Sequence, residues 1–373
     1  MQKKYTSLGL MSGTSGDGVD ASIVNTNGIN QFEVKKDKFF EYDSELHKEI
    51  HNLKEKILNI YDLEKVSKQI LNLERKITLF HAKLIKEINF NNEDLIIGFH
   101  GQTIYHNSEE KISRQLGDGK LLQQLTKKKI INNFRENDIL NGGEGAPLSP
   151  IFHQLLATQN KMKLPVCFLN IGGISNITVV KEPMGSLELF SKDIGPGNCL
   201  IYTWVRKNSR EKFDKDGNIA LSGKKNEIIF ENAQELYTNR ANKKKLSFDT
   251  SDFDISFARG LSLEDGAATI TAFTSSIISE AITYELKKYK ENMQTILICG
   301  GGRKNKILLK QIKENLPINI NLKLIDDYGI DGDFVESQAF AFLAIRSYLN
   351  LPISFPKTTG CIKPCTGGQL ISN

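Results

Sequence analysis

The sequence predicts an α/β protein of two related lobes, and three observations lead to this prediction. Apolar strand-like runs alternate with segments whose apolar residues recur every three or four positions, a pattern typical of α/β architecture. The 373 residues are more than one hydrophobic core usually organises. An apolar strand, a polar glycine-containing turn and a second apolar strand occur near the start and again near the middle.

The chain opens with LGLM, SGTSGDG and VDASIV, which predicts a β-hairpin with a polar tip. Glycine lets backbone amides approach an oxyanion closely, and Ser12, Thr14 and Ser15 add hydroxyl donors. Asp17 or Asp20 would order Mg²⁺ through water. The turn lacks the GxxxxGK[ST] pattern, so it is not a Walker loop. Taken alone, an ordinary tight turn explains it equally well.

Helical spacing follows from Ser44 to Ile88. His47 and His51 lie four residues apart, a spacing also found in metal sites, but no acidic third ligand motif is nearby. An exposed helix face is therefore our interpretation. A strand in DLIIGFHGQTIYH comes next, and a turn-rich stretch then leads to a helix from about Ile151.

Two segments, HGQT and NFRENDILNGGEGAP, gather donors and acceptors suited to a polyhydroxylated or carboxylated ligand. The histidine of the first segment, His100, has an alternative interpretation as a core histidine satisfied by the backbone. The polar candidates in these segments are His100, Gln102, Thr103, Arg135, Asp138 and Glu144.

The second half repeats the opening design in PVCFLNIGGISNITVV. Two such hairpins facing each other across a cleft would hold a phosphate chain from both sides. KDIGPGN sets Asp193 before a Gly-Pro-Gly turn, at a loop edge, where it would act as a general base or cap the turn. In CGGGRKN the glycines would lie against an adenine or ribose and open a helix toward phosphate. Close strand-to-helix packing is the alternative.

Composition narrows the class of protein. The net charge of +5 is spread along the chain apart from short runs at Lys127–Lys129 and Lys243–Lys245, unlike the dense basic stripe of a nucleic-acid binder. No window is apolar enough to span a membrane, and MQKKYTSLGLMSG lacks the apolar core of a signal peptide, so we expect a cytoplasmic protein. The five cysteines form no CxxC, which indicates a reducing compartment and no zinc.

Taken together, the motifs resemble the anhydro-N-acetylmuramic acid kinase family. The match runs nearly end to end, and an ordered series is far more specific than any one motif. The blocks that carry the resemblance are GLMSGTSGDGVD, GFHGQTIYH, NFRENDILNGGEGAPLSPIFH, NIGGISNIT, DIGPGN, LSLEDGAATITAFT, CGGGRKN, GIDGDFVESQAFAFLAIR and FPKTTG.

The resemblance implies a two-lobed fold of the sugar kinase, Hsp70 and actin superfamily, which is ribonuclease H-like, with a central cleft for ATP and substrate. It also implies that the C-terminal helix returns to the first lobe together with Thr358–Gly360, so that residues 1–128 with 345–373 form the first lobe and residues 129–344 the second. The implied reaction phosphorylates O6 of 1,6-anhydro-N-acetylmuramic acid and opens its anhydro ring by hydrolysis. The product, N-acetylmuramic acid 6-phosphate, belongs to peptidoglycan recycling. ATP and Mg²⁺ are the implied cofactors, and a homodimer is an implied assembly.

The resemblance gives Asp193 the role of activating water for attack at the anomeric carbon. The departing O6 then attacks the γ-phosphoryl group, so no separate general acid is required. An ordinary sugar kinase without ring opening, or a non-catalytic sensor of nucleotide or sugar, are the alternative functions.

The implied contacts fall into two sets. For ATP they are Gly13, Thr14, Ser15, Gly16, Asp17, Gly18, Val19, Asp20, Asn170, Gly172, Gly173, Asn176, Gly195, Gly197, Asn198, Gly300, Gly301, Gly302 and Asn305. For the substrate they are His100, Gly101, Gln102, Thr103, Arg135, Asp138, Glu144 and Glu336. The chain departs from the family pattern at Gly16, Asn133, Tyr202 and Leu246.

Overall fold

The computed structural model describes residues 3–90, 92–182, 189–239, 247–248, 250–288 and 295–372. Both the Lys243–Lys245 run and Leu246 lie outside these residues. The chain forms two compact units. The first unit comprises residues 1–163, 180–190 and 333–373, and the second comprises residues 164–179 and 191–332.

The first unit contains a seven-stranded sheet with strand order β12-β6-β4-β1-β2-β3, in which β5 also pairs with β4. Neighbours β1, β2 and β3 are antiparallel, whereas β4 runs parallel to β1 and β6 runs parallel to β4. The strands, numbered in chain order, are β1 (Tyr5–Ser12), β2 (Gly18–Thr26), β3 (Phe32–Glu41), β4 (Ile96–Asn107), β5 (Ile112–Leu116), β6 (Lys129–Asn132) and β12 (Gln369–Ile371).

Eight α-helices belong to the described part of this unit, and they confirm the helical spacing found from Ser44 to Ile88. They are α1 (Ser44–Lys54), α2 (Ile60–Lys65), α3 (Ser67–Ile88), α4 (Gly119–Thr126), α5 (Glu136–Leu140), α6 (Pro150–Gln159), α12 (Val335–Tyr348) and α13 (Pro356–Thr359).

Helix α12 packs directly on the backbones of β1 and β4. A Cβ atom at Gly9 would lie 1.9 Å from the carbonyl oxygen of Ser337, and one at Gly98 would lie 2.6 Å from that of Phe340. Glycine at these two positions therefore allows the helix to lie against the sheet. This contact, with the pairing of β6 to β4, explains why the unit boundaries fall at residues 163 and 332 rather than at the predicted 128 and 344.

The second unit is built on a five-stranded sheet of order β11-β10-β7-β8-β9. Strand β10 runs parallel to both β7 and β11. Its strands are β7 (Val166–Ile171), β8 (Ile174–Val180), β9 (Leu189–Pro196), β10 (Thr295–Cys299) and β11 (Asn321–Leu324). Its helices are α7 (Cys199–Asn208), α8 (Asn218–Ser222), α9 (Glu227–Asn239), α10 (Leu263–Leu286) and α11 (Lys306–Asn315).

The two sheets share one strand order. In each sheet, the first three strands lie side by side in chain order. A later strand, β4 or β10, pairs in parallel with the first of them, and one further strand, β6 or β11, pairs with the other edge of that strand. The predicted α/β class and the predicted hairpin at the start of each lobe are confirmed. Among the described helices, none has the length and apolarity needed to cross a membrane.

Candidate active site

The first glycine turn joins β1 to β2. Gly16 donates its amide to the carbonyl oxygen of Gly13 at 3.1 Å, and its own φ is +66°. Glycine tolerates this left-handed conformation, so a bulkier residue at position 16 would be strained. The Gln102 side chain on β4 also donates through Nε2 to the Gly13 oxygen at 2.9 Å. Gln102 Oε1 is buried and has no hydrogen-bond partner among the described residues.

Three side chains of α1 hold the rest of this turn. Lys54 Nζ donates to the carbonyl oxygen of Thr14 at 2.9 Å, and His51 Nε2 lies 2.9 Å from that of Ser15. The carbonyl accepts, so His51 carries the Nε2 proton. His47 Nε2 lies 3.2 Å from Asp17 Oδ1, and the two imidazole rings are 4.4 Å apart. These histidines are half-buried, and the helix face that we interpreted as exposed contacts the turn.

This arrangement orients the amides of the turn. In a trans peptide the C=O and the following N–H point in opposite directions. Donors that hold the Gly13 and Thr14 carbonyls therefore leave the amides of Thr14 and Ser15 directed away from the protein groups. None of the hydrogen bonds between described residues uses those two amides. They are donors suited to an anion.

The end of the turn is anchored to the core. Tyr42 donates its amide to the Asp17 carbonyl at 2.9 Å, and its hydroxyl lies 2.8 Å from Ser12 Oγ. Burial raises the pKa of Tyr42, and the Ser12 hydrogen bond opposes this more weakly. Gly18, Val19 and Asp20 lie in β2, and the Val19 side chain is buried in the core. Any contact from Val19 to a ligand would therefore come from its backbone.

His100 and Arg135 form one hydrogen-bonded group. His100 is buried; its Nδ1 lies 2.8 Å from the Gly101 carbonyl, and its Nε2 accepts from Arg135 Nη2 at 3.0 Å. Burial, followed by the charge of Arg135, holds the pKa of His100 well below its usual value. The neutral imidazole positions the guanidinium, which also donates to the Gly145 carbonyl at 2.7 Å.

The other predicted substrate residues are placed differently. Asp138 is buried, and its two carboxylate oxygens accept from Gly145 N at 2.8 Å and from Thr359 Oγ1 at 2.6 Å. This carboxylate braces the loop. Thr103 lies on β4 and Glu336 in the first turn of α12, both half-buried, and the amide of Glu144 donates to the Thr359 carbonyl at 2.8 Å.

The second glycine turn joins β7 to β8, and backbone amides hold it. Asn198 N donates to the Gly172 carbonyl at 2.8 Å, and Gly197 N donates to the Gly173 carbonyl at 2.9 Å. The GPGN segment thus packs directly against the NIGGISN turn. A Cβ atom at Gly197 would be only 2.3 Å from the Gly172 oxygen.

Asp193 lies in the same unit but not at a loop edge, so that part of the prediction was wrong. The residue is within β9, three positions before the strand ends, and it is buried. Its Oδ2 accepts from the amide of Phe248 at 2.8 Å. Nearby on β8, Asn176 Oδ1 is buried without a hydrogen-bond partner among the described residues.

The CGGGRKN segment begins where β10 ends. Gly300 has φ of +80° and would place a Cβ 2.3 Å from Asn170 Oδ1, while a Cβ at Gly302 would meet Ile171 at 2.2 Å. These two glycines and Gly195, whose Cβ would meet Ile277 at 2.5 Å, are required by packing. Asn305 accepts from Leu308 N and caps α11, so its side chain is used structurally.

Three predicted glycines have room for a ligand instead. The atoms nearest to an added Cβ lie at 3.7 Å for Gly13, 3.4 Å for Gly172 and 3.9 Å for Gly301, the last being the Tyr202 hydroxyl. Such open backbone is what a phosphate or a sugar ring needs for close approach. Asn133, another departure from the family pattern, has φ of +56°, which asparagine tolerates.

A duplicated α/β sheet with glycine turns that present backbone amides is suited to binding phosphate groups. The chain belongs to the anhydro-N-acetylmuramic acid kinase family, whose model matches residues 5–373. Kinases of that name from Pelagibacter ubique (54% identical over 100% of both chains) and Zymomonas mobilis (35%, over 97% of this chain and 98% of the relative) are similar to it. A third, from Agrobacterium fabrum, is 35% identical over 100% of both chains.

Among solved structures, the activator of a 2-hydroxyisocaproyl-CoA dehydratase from Clostridium difficile is similar at a TM-score of 0.42 and 12% identity, covering 91% of this chain and 94% of that one. We draw no argument about function from a similarity at this TM-score.

Sequence reasoning missed Lys54, His47 and His51 as supports of the first turn. Their spacing of four and three residues places them on one face of α1. The spacing alone indicates that the three residues share a face, but it does not indicate that this face contacts the turn at Thr14–Asp17.

Proposed function

We propose that this protein catalyses the reaction of its family, the ATP-dependent phosphorylation of O6 of 1,6-anhydro-N-acetylmuramic acid with hydrolytic opening of the anhydro ring. The product is N-acetylmuramic acid 6-phosphate, an intermediate of peptidoglycan recycling. Identity of 54% over the whole length of a relative with that name supports the proposal. We further propose a cytoplasmic location, where ATP is available.

The observation that carries the proposal is the pairing of Asp193 with a glycine turn in one unit. Asp193 is 7% exposed, and its carboxylate accepts a hydrogen bond from the Phe248 amide. The hydrogen bond from the Phe248 amide fixes the orientation of the carboxylate, and a positioned carboxylate can act as a general base. Asp193 would accept a proton from water as that water attacks the anomeric carbon.

The fate of the leaving oxygen explains why one carboxylate suffices. When the C1–O6 bond breaks, the electron pair stays on O6, which ordinarily needs a proton from an acid. Here O6 instead forms a bond to the γ-phosphorus as the bond to the ADP oxygen breaks. The negative charge that would otherwise develop on O6 is carried to ADP, and the proton from water stays on Asp193.

Phosphate binding is assigned to the glycine turns, each within its own unit. The outward amides of Thr14 and Ser15 and the open backbone at Gly172 and Gly301 suit phosphate oxygens. Bound Mg²⁺ would neutralise phosphate charge, and Asp20 or Asp17 would hold it through water. The predicted central cleft and the homodimer stay predictions.

Substrate binding is assigned to the first unit. Gln102 Oε1 is a buried acceptor without a protein partner among the described residues, and it suits a sugar hydroxyl or amide N–H. Arg135, oriented by His100, suits the lactyl carboxylate, since a positioned guanidinium binds carboxylates well. Thr103, Glu144, Glu336 and the backbone of Gly101 complete the proposed set.

One coupled assay tests the proposal. Purified protein is incubated with Mg-ATP and 1,6-anhydro-N-acetylmuramic acid in ¹⁸O-labelled water, and the sugar phosphate is analysed by mass spectrometry and NMR. We expect equimolar ADP and a 6-phosphate with one solvent oxygen at C1. Phosphorylated sugar with an intact ring would indicate an ordinary sugar kinase. ATP binding without turnover would indicate a sensor.

The variant Asp193→Asn tests the base. We expect turnover to fall by about 10²–10⁴-fold with ATP affinity little changed, because the amide keeps the shape but cannot accept the proton. Full turnover in this variant would remove Asp193 from the role.

A further inference from the structure

Three buried side chains with metal-binding atoms meet at the C-terminal end of the first unit. The ligand atoms of Asp138, Cys361 and Cys365 all lie within 4.8 Å of one another. The residues are 1%, 1% and 4% exposed. Within the described ranges no other three histidine, cysteine or acidic residues come together in this way. The sequence lacks a CxxC motif, which argued against zinc. A motif search of this kind does not consider Asp138, because it lies far from the two cysteines in the sequence.

The fold holds the three residues in place independently of any ligand. Cys365 exchanges backbone hydrogen bonds with Ser354, at 3.0 Å for Cys365 N to Ser354 O, and its carbonyl accepts from Ile353 N at 2.8 Å. Asp138 is fixed by Thr359 Oγ1 and Gly145 N. Carboxylates that bind metals are commonly oriented by such second hydrogen bonds, and each oxygen keeps a further lone pair.

A fourth polar group at this position lacks a protein partner. Ser354 Oγ is buried, with the residue 1% exposed, and it makes no hydrogen bond of good geometry to any described residue. Its hydroxyl lies beside the Cys361 thiol. A buried hydroxyl without a partner is unfavourable unless a ligand or water meets it.

The donor set selects the kind of ion. Two sulfur atoms and one carboxylate oxygen suit zinc, whereas magnesium and calcium prefer oxygen ligands alone. In a tetrahedral site with Zn–S bonds of about 2.3 Å, neighbouring sulfur atoms are about 3.8 Å apart. The present distances are at most 4.8 Å, so the two sulfur atoms need to approach each other by no more than about 1 Å to form the site.

We propose that Asp138, Cys361 and Cys365 bind one Zn²⁺ ion, with Ser354 Oγ or a water as the fourth ligand. The ion would link the loop at residues 360–365 to α5 through Asp138. Because Asp138 also accepts from Gly145 N, the ion would stabilise the loop whose Gly145 carbonyl accepts from Arg135. The role is structural, and the proposal does not depend on the proposed reaction.

Metal binding to the full-length protein tests this directly. Protein purified without chelator is analysed for bound metal, then stripped, and titrated with Zn²⁺ against a chromophoric chelator. We expect one Zn²⁺ per chain and a Tm that rises with Zn²⁺ and falls on chelation. Substituting Co²⁺ should give thiolate-to-metal charge-transfer absorption, a measurement that requires no variant to fold.

Matched variants identify the ligands. Cys361→Ser and Cys365→Ser should each lower Zn²⁺ affinity by more than about a hundredfold, beyond the loss typical of an outer-shell change. Cys199→Ser, a half-buried thiol of the second unit, should leave it unchanged. Absence of stoichiometric Zn²⁺ and of the Co²⁺ band, or retention of both in Cys361→Ser, would overturn the proposal. So would a Cys361–Cys365 disulfide, detected as a native mass two hydrogens lower and assigned by peptide mapping.

Discussion

The two glycine turns present the same kind of backbone by different means. In the first unit, side chains hold the turn: Gln102, His51 and Lys54 occupy its carbonyls. In the second unit, backbone amides of Gly197 and Asn198 do so. The difference shows that the direction of the turn amides depends on which groups donate to the turn carbonyls. In a turn held by side chains, a single substitution can remove one of these donors and so change ligand affinity. A turn held by backbone is sensitive mainly to steric change.

The units also differ in their titratable groups. All six histidines of the chain lie in the segments of the first unit. His81, His100 and His153 are buried, and burial lowers the pKa of His81 to about 4 and that of His153 to about 3. The second unit lacks this source of acid sensitivity.

The largest predicted effect is therefore that the first unit loses stability before the second as the pH falls below 7. A buried neutral histidine binds a proton only on unfolding, so stability is complete above the unfolded pKa of about 6.5 and is lost as pH falls toward the folded values. Each of the three contributes a slope of up to about 1.4 kcal/mol per pH unit. Hydrogen exchange between pH 7 and 5 should show earlier opening of the first unit.

A substitution at His81 provides the check on this prediction. His81→Leu should flatten the acid dependence, whereas His106→Gln, at a half-buried position on β4, should not. Equal acid sensitivity of both units would contradict the assignment.

The next largest effect is expected at the backbone-held turn. Gly197→Ala forces a Cβ to within 2.3 Å of the Gly172 oxygen, so the two loops must separate. We expect a loss of about 1–3 kcal/mol in the free energy of unfolding and about a hundredfold loss of turnover. Urea denaturation and steady-state kinetics measure the two quantities.

Gly172→Ala is the matched control for that variant. Its Cβ meets nothing nearer than 3.4 Å, so stability should hold while ATP binding weakens. Normal turnover in Gly197→Ala would show that the second turn tolerates displacement.

A smaller effect is expected from Lys54→Met in the first turn. Methionine keeps the apolar stem but removes the charged donor to the Thr14 carbonyl. Hydrogen bonds from charged groups are worth about 1.5–3 kcal/mol, so Kd for ATP should rise at least about tenfold. Calorimetric titration measures it. Lys48→Met, exposed on the same helix, is the control, and an equal result in both would refute the role of Lys54.

The smallest effect is expected from His51→Phe, which keeps a ring beside His47 but removes the donor to Ser15. A neutral hydrogen bond contributes about 1 kcal/mol, so ATP affinity should fall about fivefold with little change in Tm. If affinity is unchanged, the Ser15 carbonyl does not need this partner, and the contrast between the two turns rests on Lys54 and Gln102.

Much of the fold was predictable because its strands and turns follow from the local order of apolar, polar and glycine residues. The alternation in LGLM and VDASIV predicted a hairpin, and both hairpins were found where the glycines interrupt the apolar runs. The position of Asp193 was not predicted correctly, because β9 continues through Asp193 to Pro196. Asn305 was predicted to contact ATP, although an asparagine before a helical run is a common N-cap and the structure uses it so.

By itself, the sequence determined the strands, the helices and the two glycine turns, because each depends on the periodicity and backbone preferences of neighbouring residues. Only the tertiary structure decided which donors occupy the turn carbonyls and which residues meet Asp138. Those contacts join groups far apart in sequence, such as Gln102 with Gly13 or Cys361 with Asp138. Their geometry follows from how helices pack on sheets, which no local pattern records.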